Sequence, residues 1–206
     1  MTMETVLQPL IQTLQESFNW NLSRAKCTAY LIAGFIQVRS INLVQLAITI
    51  PGNSKKESKY RRIQRLIKEL CIDMQTVAIF IKHQLPDIKF TLIMDRTNWK
   101  YGKTHINILF LAIGYNNFTI PILWKTLPQN KKSGNSCTHE RIELIKKFIS
   151  IFGNDMIQYI TGDREFIGKL WFKYLIDNNI KFVIRLKCNT KVSRINSGFS
   201  PVKNFF

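Results

Sequence analysis

The sequence predicts an α+β protein in which a helical N-terminal part precedes alternating strands and helices. Up to about residue 84, apolar residues recur at three- and four-residue spacing, as they do in amphipathic helices. Beyond residue 89, apolar runs and amphipathic segments follow one another in the order β-β-β-α-β-α-β. Residues 85–89, with Pro86 and Asp87, interrupt both patterns and predict a linker. The hydrophobic fraction of 46% excludes wholesale disorder.

Four helices are predicted before the linker. The first is indicated by apolar residues four positions apart, namely Val6, Leu10 and Leu14. Ser23 is the expected N-cap of the second, which runs to Val38. The third covers residues 41–47 and the fourth covers 55–70. The apolar face of the fourth helix is predicted to contain Tyr60, Ile63, Leu66, Ile67 and Leu70.

The fourth predicted helix is strongly basic. Between residues 55 and 68 the only acidic residue is Glu57. The basic residues there are Lys55, Lys56, Lys59, Arg61, Arg62, Arg65 and Lys68. Several short helices that end in a basic one are typical of helix-turn-helix DNA-binding domains, although a solvated face on a small bundle is the alternative. The net charge of +17 favours a polyanionic partner such as nucleic acid and argues against an acidic partner-binding module.

Three strands are predicted after the linker. The first covers residues 89–94 and is expected to end at Asp95. The second and third, residues 105–114 and 118–124, are expected to form a hairpin. The uncharged stretch 104–124 is long enough to span a bilayer, but its Asn, Gly and Pro residues favour the hairpin.

The remaining elements alternate helix and strand. A polar loop, 128–137, precedes a helix that we expect to begin at the N-cap Thr138 and to end at Gly153. Its predicted buried face consists of Ile142, Ile145, Phe148 and Phe152. A strand over 156–161, a helix over 168–178 and a strand over 181–186 complete the pattern.

The cysteines and histidines indicate no metal site of their own. The cysteines are Cys27, Cys71, Cys137 and Cys188, and their wide spacing excludes a C-x-x-C motif. The histidines His83, His105 and His139 do not cluster in the sequence. With no basic region followed by an apolar block at the N-terminus, we expect a reducing, intracellular setting.

Two carboxylates occupy equivalent places, because Asp95 and Asp163 each follow an apolar strand. Two carboxylates held side by side repel one another unless a cation lies between them. Oxygen ligands of this kind suit Mg²⁺ or Mn²⁺. The alternative is that each aspartate begins a turn or caps a helix.

The sequence motifs around these aspartates resemble those of a known family. Residues 95–99 read DRTNW and residues 163–166 read DREF. With their flanks they resemble the catalytic core of DDE transposases of bacterial insertion sequences, most closely the insertion-sequence-four family, over about residues 20–190. The resemblance implies an RNase H-like core in which Asp95 and Asp163 bind Mg²⁺ (or Mn²⁺) and are catalytic. It implies cutting and joining of DNA strands by two-metal phosphoryl transfer.

The same resemblance implies partners and domains. The N-terminal domain would bind the terminal inverted repeats, target DNA would be the second substrate, and a homodimer could form on DNA in the bacterial cytoplasm, associated with the nucleoid. The expected domains are 1–84 (helix-turn-helix-like and DNA-binding), 85–89 (linker), 90–190 (partial RNase H-like core) and 191–206 (a tail at the start of an insertion).

One family motif is missing. The third acid lies in Y-x2-R-x3-E-x6-K, and none of the six tyrosines is followed by Arg three residues later. We therefore expect a C-terminally truncated transposase that lacks the helix covering one flank of its sheet and is nearly inactive alone. Two alternatives are a fragment that binds DNA and inhibits transposition, and an unrelated nuclease of the same fold that acts on RNA-containing duplexes.

Further residues near the motifs have open roles. Arg96 and Arg164 could contact phosphate or pair with a carboxylate, and Glu165 could join the metal site or support it from outside. Trp99 is expected in the core, with stacking on a DNA base as the alternative. Core positions are also expected for Phe18, Trp20 and Trp171, and a helix-face charge for Glu143.

Overall fold

A computed structural model of the chain describes residues 3–128, 136–193 and 198–205. The chain forms two compact units, which divide between Thr76 and Val77. The division falls within helix α5, which spans Met74–Gln84. The domain boundaries and the DNA-binding role assigned to residues 1–84 from the sequence stay predictions.

The first unit is helical, as its apolar periodicity predicts. Its helices are α1 (Met3–Phe18), α2 (Leu22–Val38), α3 (Leu43–Thr49) and α4 (Lys56–Glu69). Helices α2, α3 and α4 enclose one core, in which Leu46, Ala47 and Ile63 are fully buried. The helices α2 and α3 approach closely at Gly34, where a β-carbon would lie 2.6 Å from Oγ1 of Thr49.

Two details of this unit differ from the sequence prediction. The N-cap of α2 is Asn21 rather than Ser23, because the Asn21 side chain accepts a hydrogen bond of 2.9 Å from the Arg24 amide. Ile67 does not lie on the buried face of α4, since it is 48% exposed. Among the described helices, none alone is long and apolar enough to cross a membrane; α2 and α3 meet that criterion only as a pair bent by 108°.

The second unit contains a five-stranded mixed sheet. Its elements are β1 (Phe90–Tyr101), β2 (Thr104–Tyr115), β3 (Phe118–Thr126), α6 (Thr138–Phe152), β4 (Ile157–Gly162), α7 (Lys169–Asp177) and β5 (Phe182–Ile184). The strand order is β3-β2-β1-β4-β5, antiparallel from β1 to β3 and parallel from β1 to β5. This order and the predicted β-β-β-α-β-α-β succession confirm the RNase H-like fold class.

The two faces of the sheet have different surroundings. One face carries the buried Leu92, Met94, Leu109 and Leu111. Lys125, which pairs with Leu109 across β2 and β3, contacts Glu143 of α6 on this face. The opposite face, which we call the open face, contains the buried Ala112, but most of its residues are half-buried or exposed. They include Thr91, Ile93, Asp95, Phe110 and Val183. Helix α6 therefore covers one face and leaves the open face accessible within the described residues.

Strand β1 is longer than the sequence predicts. It does not end at Asp95, because its antiparallel pairing with β2 continues to Tyr101 and Thr104. The β2–β3 hairpin is present as predicted in place of a membrane span. Asn116 and Asn117 at its turn both have positive φ, 47° and 65°, as a tight type I′ turn requires.

The start of α6 also differs in detail. The N-cap position is held by Cys137 rather than Thr138, and the Cys137 amide donates to Oε2 of Glu140 at 2.7 Å. On the buried face of α6, Leu144 is buried whereas Ile142 is half-buried. Most of the predicted loop 128–137 lies outside the described residues. Two short strands, β6 (Lys191–Val192) and β7 (Ser200–Pro201), pair in the described part of the predicted tail.

Candidate active site

The parallel pairing of β1 with β4 brings Asp95 and Asp163 to neighbouring positions. Met94 and Gly162 form the last pair of this ladder, and each aspartate is the next residue along its own chain. Adjacent strands lie about 4.8 Å apart, so the two backbones carry the aspartates side by side. Both side chains are exposed.

Each aspartate is held by the amide that follows it. Oδ1 of Asp95 accepts a hydrogen bond of 2.7 Å from the Arg96 amide, and Oδ1 of Asp163 accepts one of 2.6 Å from the Arg164 amide. In the described part of the chain, Oδ2 of each carboxylate accepts no hydrogen bond. The two carboxylates therefore share one local geometry and keep one oxygen each for a ligand.

Arg96 lies on the other side of the sheet from Asp95, since successive strand residues point to opposite faces. Its guanidinium donates from Nε and Nη2 to the Glu165 carboxylate, with Nη2 and Oε2 3.0 Å apart. Nη1 donates to Oδ1 of Asn107 at 3.3 Å. The bond to Glu165 raises the pKa of Arg96. Of the two roles considered for Arg96, the structure shows the pairing with a carboxylate.

A second arginine reaches the same segment from α6. Arg141 is buried, and its Nη2 donates to the carbonyl oxygens of Ser136, at 2.6 Å, and Glu165, at 3.1 Å. Its guanidinium lies 5.1 Å from the centre of the Phe166 ring. Burial lowers the pKa of Arg141. The sequence analysis did not identify Arg141, although its spacing from Ile145 and Phe148 places it on the apolar face of α6.

The carboxylate oxygens of Asp95 and Asp163 are suitable ligands for a hard divalent cation. Among the described residues, no group of three or more His, Cys, Asp or Glu side chains is placed to hold a metal ion. Mg²⁺, however, is commonly bound through one or two carboxylates, with water and substrate phosphates as its other ligands. Asp95 and Asp163 could supply those two carboxylates.

Trp99 is not a core residue, which corrects the sequence prediction. It is 61% exposed, because β1 and β2 continue as a two-stranded arm beyond the point where β4 pairs with β1. Trp99 points to the same face as Asp95, about 13 Å further along the strand. Lys100 and Lys103 beside it are exposed.

The other predicted core aromatics differ in burial. Trp171 is fully buried, as predicted. Phe18 and Trp20 stack with their ring centres 4.7 Å apart and pack half-buried against the core of α1 and α2. Glu143 lies on the surface of α6 and pairs with Lys125 and with Lys147, the latter at 3.8 Å.

The basic residues of α4 do not all face solvent. Arg61, Arg65 and Lys68 are exposed and line a groove of about 870 Å³ next to Leu43 and Ile67. Lys55 and Lys56 are exposed as well, and Lys59 is half-buried. Arg62 is half-buried and donates to the carbonyl oxygen of Ser23 in α2 at 3.3 Å. The exposed cations on α4, which we call its basic surface, are Lys55, Lys56, Arg61, Arg65 and Lys68, whereas Arg62 is bound to α2.

Comparison with known families places this site in context. A family described as "Transposase DDE domain" matches residues 68–204. The chain belongs to the DDE transposase family. The matched residues include β1, β4 and both aspartates. The family domain of this transposase therefore contains the five-stranded sheet.

Solved structures share a weaker likeness with the transposase. The catalytic core domain of HTLV-2 integrase, solved with magnesium, matches 48% of this chain at 18% identity, with a TM-score of 0.34. The simian T-cell lymphotropic virus intasome matches 68% at 12% identity and a TM-score of 0.37. The large terminase of a thermophilic bacteriophage matches 50% at 17% identity and a TM-score of 0.33.

The chain spans 61% of the length of the HTLV-2 domain and 46% of the intasome chain. No curated protein matches the sequence.

Proposed function

We propose that this transposase chain holds Mg²⁺ (or Mn²⁺) between Asp95 and Asp163 and that DNA strands are cut and joined at this point. The observation that carries the proposal is the β1–β4 register, which places two exposed carboxylates side by side. Such a pair is stable chiefly when a cation offsets the repulsion between its charges. A bound divalent ion would activate a water molecule and neutralise the phosphate charge.

The residues around the pair have distinct proposed roles. Asp95 and Asp163 would orient the ion, and the exposed Arg164 would meet a DNA phosphate. Arg96 and Glu165 would act from the opposite side of the sheet, where they bind one another. These assignments require no covalent intermediate, since the protein supplies position and charge.

We propose that the chain is a member of the insertion-sequence-four family, because it contains the motifs DRTNW and DREF. The corresponding substrates are the terminal inverted repeats and target DNA, and a homodimer on DNA would bring two ends together. The setting would be the bacterial cytoplasm, in association with the nucleoid. The net charge of +17 supports a polyanionic partner.

The basic surface of α4 is the proposed DNA-binding element. Replacement of Arg61, Arg65 and Lys68 by Gln should weaken binding to duplex DNA. The slope of log affinity against log salt concentration should decrease by the amount expected for the loss of about three phosphate contacts. These three side chains are exposed, so their loss should leave the fold intact. Arg62→Gln is the matched comparison, because Arg62 bonds to α2 and its loss should lower stability. Unchanged DNA affinity in the triple variant would remove α4 from the proposal.

A second function, DNA binding without cutting, is favoured by one observation. The 206 residues contain no Y-x2-R-x3-E-x6-K motif and thus supply two of the family's three acids. We propose that a polypeptide of these 206 residues binds inverted-repeat DNA without cutting it and so competes with an intact transposase. Magnesium-dependent cleavage of such DNA by this polypeptide would contradict the second function and support the first.

Titration of the 206-residue chain with Mn²⁺, followed by electron paramagnetic resonance, tests the metal site directly. Asp95→Asn and Asp163→Asn should each weaken Mn²⁺ binding by more than tenfold, because each removes half of the carboxylate pair. Asp177→Asn is the control, since Asp177 is a similarly exposed carboxylate on α7. Equal Mn²⁺ affinity in all four proteins would overturn the proposal.

A further inference from the structure

An ion pair lies on the side of the sheet opposite the two aspartates. Arg96 directly follows Asp95, and Glu165 lies two residues after Asp163. We infer that the Arg96–Glu165 pair, together with Arg141, sets the position of Asp163 relative to Asp95, and that Glu165 is a positioning residue rather than a metal ligand. The inference rests on the proposed metal-binding role of the aspartates.

The direction of the side chains is the first argument. Asp95 is exposed on the open face, whereas the Arg96 side chain is only 14% exposed on the face that α6 covers. Nε and Nη2 of Arg96 approach both oxygens of Glu165 within 3.2 Å. The Glu165 carboxylate is therefore directed into this fork and away from the open face.

The second argument is the number of elements that meet on residues 163–166. Arg96 reaches the Glu165 side chain from β1, and Arg141 reaches the Glu165 carbonyl from α6. The Phe166 ring is fully buried beneath the Arg141 guanidinium. The segment itself contains a single 3₁₀ turn, closed by a bond of 2.9 Å from the Phe166 amide to the Asp163 carbonyl. Contacts from β1 and α6 therefore fix the position of residues 163–166, which this short turn alone would fix only weakly.

The cost of the alternative is the third argument. If Glu165 turned to a metal ion, the Arg96 guanidinium would keep, among its bonds to the described residues, only the one of 3.3 Å to Asn107. A poorly exposed guanidinium without its carboxylate is strongly unfavourable. A bidentate arginine–carboxylate pair also fixes geometry, because two parallel bonds define an orientation that one bond does not.

A double-mutant cycle on Mn²⁺ affinity separates positioning from ligation. We expect Glu165→Gln to weaken Mn²⁺ binding about tenfold in the otherwise unchanged chain, as loss of supporting contacts to metal ligands does. In the Arg96→Gln background, the same change should have no further effect, since the pair is already broken. An equal loss in both backgrounds would identify Glu165 as a ligand and overturn the inference.

Charge-matched variants remove the simplest electrostatic explanation. Arg96→Gln with Glu165→Gln leaves the net charge unchanged and should still weaken Mn²⁺ binding about tenfold. Its control is Lys173→Gln with Asp177→Asn, which removes an exposed pair on α7 and should leave Mn²⁺ affinity unchanged. If the Arg96/Glu165 variant binds Mn²⁺ like the control, the pair does not position the aspartates.

Hydrogen exchange provides a readout that needs no metal. The Phe166 amide, which donates to the Asp163 carbonyl, should exchange at least tenfold faster in the charge-matched Arg96/Glu165 variant, whereas Asp95→Asn should leave its exchange unchanged. If the unmodified chain binds no Mn²⁺, the proposed metal site fails, and exchange alone then decides about the positioning role. Unchanged exchange in the Arg96/Glu165 variant would overturn that role.

Discussion

Gly162 and Phe166 lie so close together that a β-carbon on Gly162 would fall 2.9 Å from Cδ2 of the Phe166 ring. The same β-carbon would lie 3.3 Å from the carbonyl oxygen of Met94 in the neighbouring strand. The chain therefore passes from β4 into residues 163–166 at a point that has no room for a side chain. Asp163 begins where this close packing ends.

Gly162→Ala should destabilise the second unit by about 1–3 kcal/mol, the usual cost of overpacking. The Phe166 ring is fully buried and cannot move aside without loss of its contacts. Urea denaturation followed by circular dichroism measures the effect. Gly102→Ala is not a suitable control because Gly102 has positive φ, whereas Gly198, which has open space around it, is suitable. Equal midpoints for Gly162→Ala and Gly198→Ala would contradict the prediction.

The ion pair between α6 and β3 should make stability depend on pH in the acid range. The hydrogen bond from Lys125, aided by Lys147 and His139, lowers the pKa of Glu143 below its ordinary value of 4.5. A lowered folded-state pKa contributes stability that is present above pH 4.5 and is lost as the pH falls through the folded-state value.

Glu143→Gln should consequently lower the free energy of unfolding at pH 7 by about 0.5 kcal/mol, as expected for a partly exposed pair. The difference from the unmodified chain should vanish towards pH 3. Thermal unfolding at pH 7 and at pH 3 measures both values, with Glu16→Gln on α1 as an exposed control. A difference that stays constant over this range would exclude the ion pair as its cause.

The four thiols should separate into two classes. Cys71, Cys137 and Cys188 are exposed, whereas Cys27 is buried in the core of α2, α3 and α4. Burial raises the pKa of the Cys27 thiol, and only the thiolate reacts readily. Ellman's reagent should thus modify three thiols in the folded chain and the fourth after unfolding. Cys27→Ser should retain all three fast equivalents, and four fast equivalents in the unmodified chain would contradict the burial of Cys27.

Trp99 on the β1–β2 arm should stack on a base of single-stranded or distorted DNA. Trp99→Ala should weaken binding to single-stranded DNA by about 1–3 kcal/mol, the usual contribution of one stacked base. Trp99→Phe should retain most of the affinity, since a stacking surface remains. Fluorescence of DNA that contains 2-aminopurine reports on stacking as well as on affinity. Phe118→Ala, at an exposed aromatic residue at the start of β3, is the control, and equal affinity in both alanine variants would exclude the stacking role.

The sequence predicts the order of elements well because hydrophobic periodicity reflects burial on a given face. The apolar runs around Leu92, Leu111 and Ile160 become the buried centre of the sheet. Periodicity also places Asp95 and Asp163 after apolar runs, and the observed register makes them neighbours. Local patterns were sufficient for the order of elements and for the places of the two aspartates, whereas the adjacency of β1 and β4 is implied by the family resemblance.

Long-range contacts determine the features that the sequence prediction missed. Trp99 is apolar and was expected in the core, but pairing with β2 extends β1 beyond the sheet and leaves it exposed. Arg141 lies on the apolar face of α6 by spacing, but spacing does not show that it binds the Glu165 carbonyl 24 positions away. Ile67 fits the apolar face of α4 by spacing, although the structure leaves it 48% exposed. Such outcomes depend on which elements meet, which spacing does not specify.

The alternation of Asp95 and Arg96 along β1 makes this strand sensitive to changes in length. Loss or gain of a single residue between Phe90 and Met94, with the rest of the pairing kept, would turn the carboxylate towards α6 and the guanidinium towards the open face. The Asp95 carboxylate would then lose its exposure to solvent, and the Arg96 guanidinium would lose its bonds to Glu165. Substitutions along this strand can accumulate one at a time, but single-residue insertions and deletions cannot, and β1 should therefore keep a constant length among functional descendants of this gene.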